Sequence, residues 1–203
     1  MPQTQEAKIT APNLVSAQFV LRGTSPLMTN RFAAKMELLA KHIEGGKAKR
    51  GERKAKDVDD LLEKASYIAP DGWYGFHVSG LRSALIDACR LVNFKMTFAK
   101  LSIFVAADAY DTVDAMPIIQ IHGKREMSTM TTRTATGTPD VRIRPIWHAW
   151  ELHPQITWDA DQFSASDVAN LLMRVGKQVG IGEGRPYSKN SAGMGFGLFD
   201  IVG

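Results

Sequence analysis

The chain has 203 residues, 44% of them hydrophobic, with one cysteine and a formal net charge of +4; its sequence pI is about 9.2. A single cysteine excludes an intrachain disulfide and argues against thiolate-bound structural zinc. No apolar run approaches the ~20 residues that span a bilayer and residues 1–10 lack a signal-peptide core, so one soluble, cytoplasmic domain over residues 1–203 is expected, its basic charge gathered in segments suited to a polyanion.

In chain order, residues 13–22 read as a strand, with Val15, Ala17, Phe19 and Leu21 alternating against Leu14, Ser16, Gln18 and Val20. Gly23 and Pro26 end it, and Leu27 and Met28 follow as an apolar plug. Phe32, Met36, Leu39 and Ile43 share one face of a predicted helix that ends at Gly45-Gly46. The run Lys47, Lys49, Arg50, Arg53, Lys54 and Lys56 has no apolar periodicity and reads either as a solvated linker or as a functional arm. A second helix over 58–68 completes an inserted helical and basic segment at 33–72.

After the Pro70-Asp71-Gly72 turn, residues 73–78 form an aromatic-rich strand. Ser79 is the predicted cap of a helix through Leu91, whose stripe is Leu81, Leu85, Ala88 and Val92, with Cys89 a buried, inert thiol. Arg82 lies one turn from that helix start, where a cation is unfavourable; it marks either an external anion or an ordinary solvated arginine. Residues 101–106 and 118–122 are predicted as short strands.

Residues 123–140, GKREMSTMTTRTATGTPD, are too long and polar for a hairpin turn, and loops of this length are usually functional or disordered. Residues 141–152 alternate as a strand that sends Arg142 and Arg144 to one side, with Pro145 pointing to an edge or a bulge. Residues 155–159 are expected as its hairpin partner. Ser164 or Ser166 caps the last helix, whose buried stripe is Val168, Leu171, Leu172 and Val175. Residues 176–199 then carry seven glycines around Arg185, Lys189 and Asn190. Such density reads either as a nest of exposed N–H groups for an anion or as a long surface loop before a closing strand at 197–202.

His42, His77, His122, His148 and His153 are dispersed without a metal-ligand spacing, and neither a GxxxxGK[ST] loop nor a GxSxG elbow is present. No metal, no cofactor, no hydrolytic or redox centre and no catalytic residue are therefore expected. The one catalytic alternative is metal-independent RNA cleavage by His42 and Tyr187 with Lys189 near the phosphate.

Three stretches together resemble the RAMP superfamily of CRISPR-associated proteins. They are the turn Gly23-Thr24-Ser25-Pro26-Leu27, the junction Val78-Ser79-Gly80-Leu81-Arg82-Ser83-Ala84-Leu85, and the terminal loop with Gly182, Gly184, Arg185, Gly193, Gly195 and Gly197. The junction lacks the superfamily's proline and second serine. The resemblance implies an α+β, ferredoxin-like (RRM-like) βαββαβ core with an antiparallel sheet, the inserted segment at 33–72 and a thumb-like loop at 123–140.

In layout it is most similar to the backbone subunits that coat a guide RNA, or to a phage or mobile-element relative of them. It implies a non-enzymatic protein of the bacterial host cytoplasm that binds single-stranded RNA or DNA and oligomerises along it as a helical filament, with other effector-complex subunits as partners and no membrane. Arg22, Arg31, Arg82, Arg142, Arg144, Arg185 and Lys189 would meet phosphate. Lys124, Arg125 and Arg133 would join them from the thumb, whose Met127 and Met130 would separate or stack bases. The rival expectations are a repeat-processing endoribonuclease and a phage structural or assembly protein.

Overall fold

A computed structural model describes residues 10–31, 58–133, 139–188 and 192–202. In order these form β1 (Leu14–Gln18), β2 (Leu21–Gly23), β3 (Leu27–Met28), α1 (Val58–Lys64), β4 (Tyr67–Ile68), β5 (Tyr74–His77), α2 (Val78–Ala88), a 3-10 turn (Cys89–Val92), α3 (Met96–Ser102), β6 (Ile103–Val105), β7 (Ala109–Tyr110) and β8 (Pro117–His122). They continue with β9 (Glu126–Arg133), β10 (Pro139–Trp147), β11 (Glu151–Leu152), β12 (Gln155–Asp159), α4 (Ala165–Arg174), a π turn (Val175–Val179) and β13 (Phe199–Ile201). The class is α+β with antiparallel pairing.

The strand expected at 13–22 is divided because it serves two sheets. Its first half, β1, pairs with β12 in the order β1-β12-β6, while β2 pairs with β11 in the order β13-β2-β11-β8-β5-β4. The break falls at Phe19 and Val20, whose backbones bond Pro154 and Val202 instead of a regular ladder. Leu21, Leu152, Ile156, Ile121 and Phe199 point from these strands into the core, and Leu81, Leu85, Val168 and Leu172 meet them from α2 and α4. The period-2 and period-3.6 patterns in the sequence are thus the two faces of one apolar layer.

Helix α4 opens with a capping box: the Ser164 hydroxyl accepts from the Asp167 N–H, and the Asp167 carboxylate accepts from the Ser164 N–H. The Ser164 hydroxyl also donates to the Asp167 carboxylate, and that bond, with the one from the Ser164 N–H, holds the carboxyl below its ordinary range. At α2 the expected cap moves. His77, the last residue of β5, takes the N-cap position with no side-chain cap bond, and Ser79 lies inside the first turn.

Four local expectations need correction. The helix over 58–68 stops at Lys64, where the Ser66 hydroxyl turns back onto Leu62 O, and Tyr67–Ile68 becomes β4. A helix, α3, occupies part of the strand expected at 101–106, leaving only Ile103–Val105 extended. The strand at 141–152 ends at Trp147, and residues 155–159 pair with β1 and β6 rather than with it.

The partner of β10 is β9 instead, with Met130 opposite Arg142 and Ser128 opposite Arg144, so much of the polar 123–140 segment is a ladder rather than a loop. Threonine-rich sequence has high strand propensity, and a ribbon standing off the body can be polar on both faces. The helix expected from Phe32 and the basic run at 45–56 lie outside the described residues.

The glycine-rich segment is fastened to the turn after β2. Gly197 N–H donates to Pro26 O at 2.8 Å, Glu183 N–H to Met28 O at 2.8 Å, and Ile181 N–H to Gly197 O at 3.0 Å. The Ser25 hydroxyl accepts from Leu198 N–H, and Trp150 Nε1 donates to Ser25 O. A surface loop free of the body is therefore not what this segment forms.

Candidate nucleic-acid interface

Strand β5 runs into α2 with no intervening loop, so the first turn of α2 opens where the residues after β3 and the glycine-rich segment meet. Between them lies a cleft of about 480 Å³, lined by Thr29, His77, Ser79, Gly80, Glu183 and Arg185 among others. The backbone N–H groups of an uncapped first helical turn carry partial positive charge. A Cβ at Gly80 would fall 2.5 Å from the His77 ring, so the glycine is what lets the imidazole lie across the helix start.

His77 Nδ1 is 3.0 Å from the Ser79 hydroxyl. Burial, helped by the Arg185 charge, lowers the His77 pKa to about 4, so the ring is neutral at pH 7. Because the folded pKa lies below the unfolded value, the folded state resists protonation. Stability is full above pH 6.5 and falls between pH 6.5 and 4 by at most about 1.4 kcal/mol per pH unit. Urea midpoints measured from pH 7 to 4.5 should show this slope, and His77→Gln should flatten it.

The glycine-rich segment closes the cleft from the other side. Gly180, Gly182, Gly184, Gly193, Gly195 and Gly197 all have positive φ. At Gly182 a Cβ would stand 2.4 Å from Met28 O, which explains why only glycine allows this close approach. Arg185 Nη1 donates to Gly182 O at 3.0 Å, a bond that holds the side chain against its own loop. Glu183 reaches the hairpin: its Oε2 lies 2.7 Å from Arg144 Nε.

The hairpin continues the surface outward. Arg142 and Arg144 share a face of β10, and the register sets Met130 on that face too. Met127 is three residues from Met130 and so lies on the opposite face of the ribbon, about half exposed, opposite Pro145. The structure thus separates the two methionines that the sequence grouped.

The remaining predicted residues are dispersed. Arg31 is 3% exposed and paired with buried Asp111 at 3.4 Å, so it faces the interior. Arg82 donates to the carbonyls of Ile103 and Lys100 and lies over the Phe104 ring, which ties α2 to α3 and β6 and turns its charge away from the helix start. Arg22 pairs with Glu151 at 2.7 Å on the larger sheet. That bond, with one from His153, holds the Glu151 carboxyl below its ordinary range.

Arg125 pairs with Glu63, bonds the Ser66 hydroxyl and stacks 3.9 Å from the Tyr74 ring centre, while Lys124 beside it is exposed. The Tyr187 hydroxyl accepts from Arg90 Nη1 at 3.1 Å. His42, Lys189 and the Arg133 side chain lie outside the described residues, so the His42–Tyr187 pairing has no geometry to support it.

No protein-family model matches the chain, and no curated protein sequence matches it. Among the described residues no group of three His, Cys, Asp or Glu is placed to hold a metal ion, and no helix is long and apolar enough to cross a membrane.

Sequence reasoning missed Thr29, His77 and Glu183. The Thr29 hydroxyl is buried and without a hydrogen-bond partner among the described residues, although Thr29 lines the cleft. Two of the three had a local signal: Glu183 stands alone between two glycines, and His77 directly precedes the Val78-Ser79-Gly80 step.

Proposed function

We propose that this protein is a non-enzymatic, single-stranded nucleic-acid-binding protein of the RAMP type, acting in the cytoplasm of a bacterial host and assembling side by side along its strand. The observation that carries the reading is convergence: the start of α2, Thr29 and Asn30 just after β3, and the glycine-rich segment, far apart in sequence, line one cleft, and the Ser-Pro-Leu turn is hydrogen-bonded to that same glycine-rich segment. Strand order supports a ferredoxin-like core. Taking β1 with β2 and β12 with β11 as two bent strands, β13 pairs with the first, the first with the second, and the second with β6. Helix α2 lies in sequence between the first bent strand and β6, and α4 between the second and β13, an order compatible with βαββαβ once β3, α1, β4, β5, α3 and β7 to β10 are taken as insertions.

In this reading a backbone phosphate sits at the first turn of α2 beside Arg185, where helix N–H groups and a guanidinium both favour an anion. The strand then follows Arg144, Arg142 and Met130 along the hairpin, with Met130 against a base. Binding falls steeply with salt because each phosphate neutralised releases counterions.

Fluorescence anisotropy with labelled single-stranded RNA and DNA at two salt concentrations tests it, and the absence of binding to either strand would refute it. Arg185→Glu is expected to weaken binding by about 100-fold, the order expected when a guanidinium that donates two charge-assisted hydrogen bonds to phosphate gives way to a carboxylate. Its melting temperature should be unchanged, since the wild-type side chain bonds only its own loop. Light scattering with and without the strand separates this protein from a structural or assembly protein, which would form ordered oligomers alone.

A further inference from the structure

Resting on that reading of the cleft, we propose that it holds one whole nucleotide, with the phosphate at the start of α2 and a guanine base stacked inside and hydrogen-bonded to Asp87 and Thr29. Three features carry this beyond a phosphate contact. The first is size. A cleft of about 480 Å³ lies within the roughly 300–1,000 Å³ of sites that enclose small molecules, far more than a phosphate needs.

The second is an aromatic wall. Tyr67, Phe76 and His77 all line the cleft; the His77 ring lies 5.6 Å from Tyr67 and 4.7 Å from Phe76, and Met116 adds a polarizable side chain. Phe76 is 0% and Tyr67 5% exposed, so His77, half-buried, is the one of the three whose ring is open for a base to stack on. His77 carries no charge at pH 7, so it offers the ring face of a neutral aromatic group.

The third is the polar edge. Ser79, Ser83 and Asp87 are spaced by four along α2 and therefore share one face, and all three line the cleft. Thr29 lines the same cleft, is 2% exposed, and its hydroxyl has no partner among the described residues. A buried hydroxyl left unpaired is costly, and a ligand atom within reach would satisfy it.

Among the described residues the Asp87 carboxylate makes one loose ion-pair contact, with Arg90 at 3.7 Å. As an acceptor-only carboxylate it selects a base edge rich in donors. Guanine offers N1–H and its 2-amino group side by side, whereas uracil sets one N–H between two carbonyl oxygens that a carboxylate repels. The Thr29 hydroxyl, donor and acceptor at once, then meets a ring nitrogen or carbonyl of the same base.

Calorimetric titration of the full chain with GMP, UMP and inorganic phosphate tests the pocket. GMP is expected to bind at least 10-fold more tightly than UMP or phosphate, the range of a good bidentate base contact. Asp87→Asn should bring GMP and UMP to within about twofold, because an amide no longer presents two acceptors. Thr29→Val, equal in shape, should weaken GMP by about fivefold and serves where the first variant alters α2.

Equal affinities for the three ligands would leave a phosphate site only and overturn the base pocket, as would failure of GMP to bind while labelled strands still do. GMP binding in a protein that captures no strand would keep the pocket and remove the strand reading.

Discussion

Asp111→Ala is expected to lower the free energy of unfolding by about 3–5 kcal/mol, the cost of breaking a buried ion pair from one side. The carboxylate is fully buried and accepts hydrogen bonds from the N–H groups of Ile68 at 2.7 Å, Val113 at 3.1 Å and Asp114 at 3.2 Å, besides Arg31 Nη1 at 3.4 Å. Its removal strands those donors and leaves Arg31, whose Nε already lacks a partner, as an uncompensated cation.

Burial alone would raise the Asp111 pKa, but the backbone N–H bonds outweigh it and hold the carboxyl below its ordinary value. The sign is therefore that of a depressed acid: its contribution is present above the unfolded value near pH 4 and is lost as the pH falls through the lower, folded one. Urea unfolding at pH 7 and at pH 3 checks both parts. A loss below about 1 kcal/mol at pH 7 would mean that the pair contributes little to holding the segment after β3 against the β7–β8 turn.

Gly197→Ala is the second large effect, and it should remove stability and ligand binding together. A Cβ at this position would stand 1.8 Å from Ile181 O and 2.7 Å from Ile181 C, at φ of 68°. Neither backbone can yield without losing the Gly197 N–H to Pro26 O bond or the Ile181 N–H to Gly197 O bond. The expected cost is about 3 kcal/mol or more, from left-handed strain of about 1–2 kcal/mol plus a lost hydrogen bond and the overlap itself.

Gly195→Ala is the control. Its φ is 76° but nothing lies within 4 Å of the added carbon, so only the strain of about 1–2 kcal/mol remains. Thermal melts should separate the two by several degrees. If both variants melt together, the close approach of residues 181 and 197 does not hold this segment in place.

What the sequence made legible was whatever depends on short-range periodicity. The stripe of α4, the stripe of α2 through Leu81, Leu85 and Ala88, the strand at 118–122 and a serine cap at Ser164 or Ser166 follow from residues within one or two turns of each other, whereas Val92, expected on the α2 stripe, lies past the helix end and is 45% exposed. The glycine cluster was legible as backbone chemistry too, because six positive-φ positions need no partner to be inferred.

Choices of partner were not legible. Residues 155–159 bear the same alternation whether they pair with β10 or, as they do, with β1 and β6. Charge misled for the same reason. Arg31 and Arg82 look as available as Arg185 in sequence, yet Asp111 and two main-chain carbonyls, distant along the chain or hidden in its backbone, already hold them. The site's quiet members, Thr29 and His77, belong to no charge pattern, and only the fold brings them to the cleft.

The pairing of arginines with carboxylates has a kinetic and selective consequence. Arg22, Arg125 and Arg144 each have a glutamate in contact, so an incoming anion at these places meets a substitution reaction rather than a vacant charge. It must displace a resident oxygen ligand, which then has to be rehydrated. A diffuse polyanion touching one such place gains little over the glutamate it evicts. A ligand whose anionic groups are spaced to reach several arginines at once exchanges them in concert, and that spacing, more than the formal charge of +4, becomes the property on which the surface discriminates.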